Sequence, residues 1–279
     1  MQTYADLISA LGSWLQRSDI TALFPSFIQL FEAAANRRLR VRQQEAAAVL
    51  TPTLTLTVTG AADNGSRLVR LTTSGTDAPL GGTFFQGDQA VIAGVVGTVE
   101  ANGTFNVTTP DGTHIDLLGS TFADPYVSGG TVTFTGRAAL PVDYLAWRSV
   151  TWLGNPLREL AYVHPSIMAS RYPNLPIDLP SAFTIEGATL RVMPQNATPL
   201  KLLYYQLVPS LAANATNWLM SAFPDLYLFG ALTEAQAYAV NADTATLWKA
   251  RRDELFDEVE RLSNKSRGAG AVRVLAPTP

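Results

Sequence analysis

TPTLTLTVTG at residues 51–60, SRLVRLTTSG at 66–75 and TVTFTGR at 131–137 alternate apolar and polar side chains. Alternation with a period of two puts one set of side chains on each face of a strand. The whole stretch 51–137 holds 18 Thr and 14 of the chain's 20 Gly, and it has no Lys. Strands are predicted at 53–59, 67–73, 89–93, 104–109, 113–118 and 131–135. Turn signals separate them: Asp63-Asn64-Gly65, Gly81-Gly82, Asn102-Gly103, Asp111-Gly112 and Gly129-Gly130. Six short strands with Gly-rich turns predict a small sandwich or barrel.

The flanks read as helix. Thr3 caps a helix to Leu15, with Asp6 three residues on as in a capping box, and with Leu7, Ile8, Leu11, Trp14 and Leu15 on one stripe. A second helix starts near Pro25 and runs to about Val41, with Phe27, Ile28, Phe31, Ala34, Ala35 and Leu39 inward. Its end carries Arg37, Arg38, Arg40 and Arg42. Two readings of that cluster stand: cations favoured at a helix C-terminus and paired across subunits, or contacts to phosphates. After Leu140-Pro141, strands are predicted at 146–152, 158–163, 182–186, 188–193 and 200–206, with Glu186-Gly187-Ala188 as a hairpin turn. Helices return at Ala222–Val240, burying Leu226, Phe229, Leu232 and Ala235, and from Asp243 to about Ser263, with Leu247, Trp248, Leu255, Val259 and Leu262 inward. The expected fold class is α+β: a helical bundle with a small β-sheet region, formed by 1–50 and 138–264, interrupted by an inserted all-β sandwich or barrel at 51–137. Residues 265–279 are expected to form an extended C-terminal tail.

A chain of 279 residues with 47% hydrophobic content supports one large or two modest cores. Seven acidic residues and three Arg give the insert a net charge of −4 against a formal total of −3, so the flanks are about neutral at +1. That is not the basic footprint of a sequence-reading nucleic-acid binder, though a near-neutral surface suits a protein that lets DNA pass without gripping it. With no Cys, disulfides and thiolate metal sites are excluded. No secretory signal and no transmembrane run are read from the sequence. Of the 20 basic residues 17 are Arg, a bias that fits either interfacial ion pairs or base composition.

The chemistry of catalysis is hard to assemble from these residues. A Ser-His-Asp arrangement needs a placed His, and only His114 and His164 exist, each at a turn. They are also too far apart in sequence to suggest a His-based metal site. Asp253/Glu254 and Asp257/Glu258 lie among Arg251, Arg252 and Arg261 on a helix, as a solvated ion-pair face does. No phosphate-cradling Gly loop opens a helix, and the acidic residues do not have EF-hand spacing. Trp147, Trp152, Tyr204 and Tyr205 fit strand cores better than a base-stacking platform. No cofactor is expected.

With 51–137 set aside, the order of short matches resembles the head-to-tail adaptor proteins of tailed bacteriophages. The residues are Tyr4-Ala5-Asp6-Leu7 with Trp14-Leu15, then Phe27 to Arg42, then Leu140-Pro141-Val142-Asp143-Tyr144-Leu145 with Arg148-Ser149. Leu160-Ala161-Tyr162-Val163-His164-Pro165 follows, then Thr184-Ile185-Glu186-Gly187-Ala188-Thr189-Leu190-Arg191 with Pro194, then Tyr204 to Leu211. The strongest match is Asn217-Trp218-Leu219 through Pro224 to Ala235. The insert, through Thr104-Phe105-Asn106-Val107, Ile115 to Ser120 and Tyr126 to Val132, resembles a small β module repeated in phage tail proteins. That module is similar in fold to the first catalytic cysteine half-domain of ubiquitin-activating enzymes; this chain has no Cys.

The resemblance implies a structural protein of the virion neck, assembled in the host cytoplasm, with no enzymatic activity. It implies a ring of copies, taken as a dodecamer, under the portal protein. DNA passes transiently through the centre, and a tail tube or nozzle protein attaches at the distal face. No membrane contact is expected. Arg37, Arg38, Arg40, Arg42, Arg251 and Arg252 are candidate ring-interface residues. In the tail, Arg267, Val272, Arg273, Val274 and Leu275 are candidates for docking on the portal. Most such adaptors lack an insert of this kind, so its role, fibre contact included, is not carried over. A competing reading is a tail or surface protein whose β domain binds carbohydrate or fibres; it needs exposed aromatics among Phe84, Phe85, Phe105, Phe122, Tyr126 and Phe134. A hydrolase is the third reading, and the missing constellation weighs against it.

Overall fold

The computed structural model describes residues 1–17, 19–74, 88–173, 176–239 and 241–267. In chain order, helices α1 (Tyr4–Leu15) and α2 (Phe24–Arg38) lead to strands β1 (Glu45–Leu50), β2 (Thr53–Asp63), β3 (Val69–Thr73) and β4 (Gln89–Ala93). Next come β5 (Gly103–Thr108), β6 (His114–Leu117), β7 (Thr131–Thr135), β8 (Arg137–Ala139), β9 (Tyr144–Trp152), β10 (Arg158–Glu159) and β11 (Ala161–Tyr162). Helix α3 (Pro165–Arg171) precedes β12 (Ala182–Glu186), β13 (Thr189–Met193) and β14 (Leu200–Gln206). Helices α4 (Trp218–Ala222), α5 (Pro224–Tyr238) and α6 (Ala242–Arg267) end the described chain. Two compact units result: residues 1–46, 143–146 and 204–279, and residues 47–142 and 147–203.

The first unit is mostly helical. Thr3 and Asp6 form the expected capping box of α1. From Leu226 to Ala235 helix α5 has no exposed residue, because that stretch is packed around its whole circumference. Leu226, Tyr227, Leu228, Gly230, Ala231, Leu232, Thr233 and Ala235 are all buried, against Leu7 and Leu11 of α1, Phe31 of α2 and Phe256 of α6. Phe31 lies edge-on to Tyr227 with centroids 4.9 Å apart, and it fits only because residue 230 is Gly. A Cβ there would stand 2.0 Å from the Phe31 ring.

One buried carboxylate organises the polar part of this core. Glu32, 5% exposed, accepts hydrogen bonds from Ser210 Oγ at 2.7 Å, the Leu211 amide at 2.8 Å and the Tyr227 hydroxyl at 3.3 Å. Asn217 donates to Tyr227 Oη at 2.6 Å and to the Pro209 carbonyl at 2.7 Å, and its Oδ1 caps α4 through the Met220 amide at 2.8 Å. Buried polar atoms held this fully fix one arrangement of the chain. Burial and the Glu32 charge push the Tyr227 hydroxyl far above the ordinary phenol range, so it stays a neutral donor.

In the second unit, six strands form a closed barrel in the order β2-β3-β6-β5-β4-β7. They coincide closely with the six strands predicted from alternation. Leu56, Val58, Val69, Leu71, Ile92, Val107, Ile115, Val132 and Phe134 fill the interior. The first and last strands pair directly, Thr53 opposite Thr135 through Thr57 opposite Thr131. The turn 63–67 is tied by its own side chains: Asp63 Oδ1 accepts from the amides of Gly65 (2.8 Å) and Arg67 (2.9 Å), as an Asx turn does. A second sheet runs β11-β12-β13-β8, with β11 parallel to β12 across the α3 crossover. The β12–β13 hairpin turns at Gly187, φ +58°, as read from the sequence. A third sheet has the order β1-β14-β9-β10.

A buried ion cluster joins barrel and hairpin. Arg137, 1% exposed, bonds Asp88 at 2.6 Å and Glu186 at 3.0 Å; Arg191 bonds Asp88 at 2.7 Å and lies 3.8 Å from Glu186. Asp88 leads into β4, Arg137 opens β8, and Glu186 and Arg191 stand on β12 and β13.

Several expectations are corrected. Helix α2 ends at Arg38, not Val41, and buried Leu39 continues as extended chain. Residues 45–50 form a strand in a segment the sequence reading gave to the helical frame; Glu45-Ala46-Ala47-Ala48 has helical propensity, which pairing to β14 overrides. Helix α6 turns Leu255, Phe256 and Val259 inward, whereas Leu247 and Leu262 are 60% and 44% exposed. Trp14, placed on the inward stripe of α1, is 51% exposed, its edge against Phe229 and Trp248. Trp147 is 39% exposed and stacks on Tyr162 at 5.3 Å, whereas Trp152 and Tyr204 are core residues as expected.

Two stability outcomes follow. Arg137→Met leaves Asp88 and Glu186 buried with one cation between them and is expected to cost about 3–5 kcal/mol; a loss below about 1 kcal/mol in urea unfolding would show that the cluster does not hold the unit together. Gly230→Ala gains about 1 kcal/mol of helix propensity but overpacks Phe31 by about 1–3 kcal/mol. A net loss is expected in thermal melting, and a gain would mean the ring moves aside freely.

Candidate functional site

The candidate interface residues fall on α2, the turn after it, and α6, all in the helical unit. Arg37 and Arg38 occupy the last turn of α2, where the helix dipole favours a cation. Arg37 is exposed. Arg38 pairs with Asp253 at 3.2 Å, with Asp257, and with Glu260 at 3.4 Å, and its guanidinium lies 4.8 Å from the centre of the Phe256 ring. Three acids one helical step apart on α6 thus clamp one Arg. A phosphate approaching Arg38 would meet three carboxylates first.

Arg40 lies beyond the helix yet still serves its end. Its Nη1 donates to the carbonyls of Asn36 (2.8 Å) and Leu39 (2.5 Å), groups the final turn leaves without helical donors. Arg42 is exposed in a short 3-10 turn, and its amide donates to Ser263 Oγ of α6 at 3.0 Å. On α6, Arg251 pairs with Glu254 at 2.8 Å, both exposed. Arg252 is largely buried; it bonds Asp253 at 3.0 Å and lies 3.8 Å from Glu234 of α5. Arg38 and Arg252 are therefore bound within the unit, whereas Arg37, Arg42 and Arg251 face solvent. Residues 265–267, expected in an extended tail, are instead the last residues of α6, because the helical backbone runs on to Arg267; Val272, Arg273, Val274 and Leu275 lie outside the described residues.

Both histidines hold turns. His114 Nδ1 meets the Asp111 carboxylate at 2.7 Å and Thr113 Oγ1 at 3.1 Å, while Asp111 Oδ1 accepts from the amides of Thr113 (2.8 Å) and His114 (2.9 Å). The Thr113 amide, followed by the His114 ring, holds the Asp111 carboxyl far below the usual carboxylate range. Thr113 and Asp111 share one ring nitrogen, so the trio cannot relay a proton from a hydroxyl to a carboxylate. His164 caps α3, accepting from the Ser166 amide. Among the described residues, no three His, Asp or Glu side chains group to hold a metal, and no helix is long and apolar enough to cross a membrane. Phe105, Phe122, Tyr126 and Phe134 of the barrel are partly or fully buried, and Tyr126 Oη donates to the carbonyls of Val58 and Gly129, both at 3.1 Å. Phe84 and Phe85 lie outside the described residues.

The sequence reading missed the Asp88–Arg137–Glu186–Arg191 cluster. Its one sequence signal is that Glu186 and Arg191 face the same side of a hairpin flanked by buried positions. The reading also missed the half-exposed pair Trp147 and Tyr162, which sits on Phe183 (Trp147–Phe183 5.2 Å, Tyr162–Phe183 5.6 Å).

The model of the SU10 adaptor protein family matches residues 2–91 and 120–275. The match takes in both helical ends and also β2, β3, β7 and most of β4. The stretch left out, 92–119, holds β5 and β6, so the part outside the family pattern is much smaller than the predicted insert. No curated protein matches the chain. On a match over most of its length, the chain belongs to the SU10 adaptor protein family, whose members are structural bacteriophage proteins.

Proposed function

We propose that this chain is a head-to-tail adaptor: copies form a closed ring, of the dodecameric kind, beneath the portal protein, DNA passes through the centre, and a tail tube or nozzle protein attaches below. The family match over residues 2–91 and 120–275 carries this reading. A ring of identical copies needs a heterologous contact between two different patches of one chain. Exposed Arg37 in the last turn of α2 and exposed Arg42 in the turn after it supply basic groups, and exposed Glu258 on α6 an acidic one. A near-neutral formal charge of −3 overall suits passage of DNA without capture, because phosphate binding scales with the cations presented. The C-terminal segment, from the last helical residues Ser266 and Arg267 of α6 to Pro279, docks on the portal through Val272, Val274 and Leu275, with Arg267 and Arg273 pairing to carboxylates. Assembly takes place in the host cytoplasm, and the product is the neck of the virion. Deleting 266–279 is expected to abolish co-purification with the portal while the circular dichroism spectrum keeps its helical signal. Undiminished portal binding would remove the tail from the account, and electron microscopy of the mixture showing no ring would remove the adaptor geometry itself.

The barrel is a lobe inserted into the adaptor frame, placed to brace neighbouring copies or meet fibres. Support comes from its two ends, which pair as Thr53 opposite Thr135, with the Gly136 amide donating to the Pro52 carbonyl at 2.8 Å. Replacing 53–135 by a short Gly/Ser bridge also removes Asp88, so the bridge variant carries Arg137→Met to avoid stranding a buried charge. It is expected to be soluble and cooperatively folded; an aggregated product would make the barrel integral to the fold.

A further inference from the structure

Helix α6 has a second face with a pattern of its own. Its inward stripe is Arg252, Leu255, Phe256, Val259 and Ser263. On the opposite side Leu247, Arg251, Glu254, Glu258 and Leu262 recur at steps of four, three, four and four, which keeps them on one face. All five are exposed, Leu247 at 60% and Leu262 at 44%. A shallow groove runs along this face, lined by Arg251, Glu254, Leu255, Asp257, Glu258 and Arg261.

We propose that this face is a self-association surface on which a second copy of the chain docks its own α6, antiparallel. The spacing supplies the argument. Leu247 and Leu262 are centred on a point midway between Glu254 and Leu255. So are Arg251 and Glu258. One two-fold axis through that point therefore sets Leu247 against Leu262 and Arg251 against Glu258 together, and symmetry makes each contact twice. The two leucines stand about 22 Å apart along the axis, so the apolar contacts bracket the ionic ones. A parallel alignment would set Arg251 against Arg251 and Glu258 against Glu258. Charge thus selects the antiparallel arrangement. Glu254 comes nearest the axis, where it would meet its own copy, but it is already neutralised by Arg251 of its own helix at 2.8 Å. Arg251 then bridges Glu254 of its own chain and Glu258 of the second copy.

A single helix pair buries less than a standard interface, so the dimer is weak and concentration-dependent. The inference does not rest on the adaptor reading, because a two-fold contact closes after two copies and cannot propagate a ring. It concerns the free chain, in which it covers the face of α6 before assembly.

Sedimentation velocity on the full chain over a concentration series tests it. A reversible monomer–dimer equilibrium is expected. Arg251→Glu alone and Glu258→Arg alone are each expected to weaken dimerisation by roughly tenfold or more. The double variant R251E/E258R restores the crossed pair and is expected to return close to the original strength. That recovery separates contact between copies from the bond to Glu254 within the helix, which the double variant does not restore. Leu247→Glu with Leu262→Glu should leave only monomer, with an unchanged circular dichroism spectrum because both sites are exposed. The proposal is overturned by a wild-type chain that stays monomeric throughout, by self-association of any size that neither single substitution changes, or by a double variant that does not recover.

Discussion

The ladder between β2 and β7 decides how this chain can be put together. It closes the barrel, and it brings the chain back to the place it left, since Thr53 lies opposite Thr135 and Gly136 bonds Pro52. A barrel has no free edge, so its strands need no further partner to satisfy their backbone groups. The rest of the chain is then free of any duty to pair with it. After one glycine the chain enters β8, which joins β13 in a different sheet. The transition from one sheet to the next therefore spans a single residue, Gly136, whose φ of +79° strains any side chain and whose approach to Gln195 and the Val192 carbonyl would hold a Cβ at 3.2 Å.

A one-residue connection between two sheets would ordinarily be a weak point, and the buried ions sit just there. Arg137 follows Gly136 directly and reaches Asp88 on the barrel side and Glu186 on the hairpin side. Taking four charges out of water is costly, and well-packed apolar residues would serve stability as well or better. What two carboxylates and two guanidiniums add is direction. Each guanidinium fork donates to its carboxylates in one geometry, so the barrel is held to the hairpin in a defined orientation. For a structural protein, fixed orientation is worth more than an extra increment of stability.

Much of this was readable from the sequence, and what was not has physical causes. Period-two alternation between Gly-rich turns located all six barrel strands, because most of them bury one face and wet the other, as β3 and β4 do. The β12–β13 hairpin was legible from Gly187, and the start of α1 from Thr3 and Asp6. Strand β1 was hidden because Glu45-Ala46-Ala47-Ala48 carries a helical propensity that only pairing to β14 overrides. The inward face of α6 was misread because its leucines serve two sides: Leu255 packs inward while Leu247 and Leu262 face out. Of the candidate interface residues, sequence could place four Arg at the end of the second helix and two within the last one but could not tell which were occupied. Arg38 faces three acids more than two hundred residues away in the chain, a relation no local pattern carries.

That unequal legibility follows from where each kind of information resides. The run from Asn217 to Ala235 was the most recognisable stretch because it meets the most constraints at once. Asn217 bonds Tyr227 and Pro209, Tyr227 bonds Glu32, and Gly230 makes room for Phe31. Such residues can be replaced in few ways, so they leave a pattern. Surfaces that meet other chains are under no such constraint within the monomer, and a charge is spelled alike whether it is bound or free. Internal pairing along the seam of α2 and α6 separates the two cases. It takes up Arg38, Arg252 and Asp253, and it leaves Arg37, Arg42, Arg251, Glu254 and Glu258 at the surface. What remains outside is close to balanced in charge and interrupted by two exposed leucines. A surface of that composition gains little from a polyanion and more from another surface that repeats it in reverse.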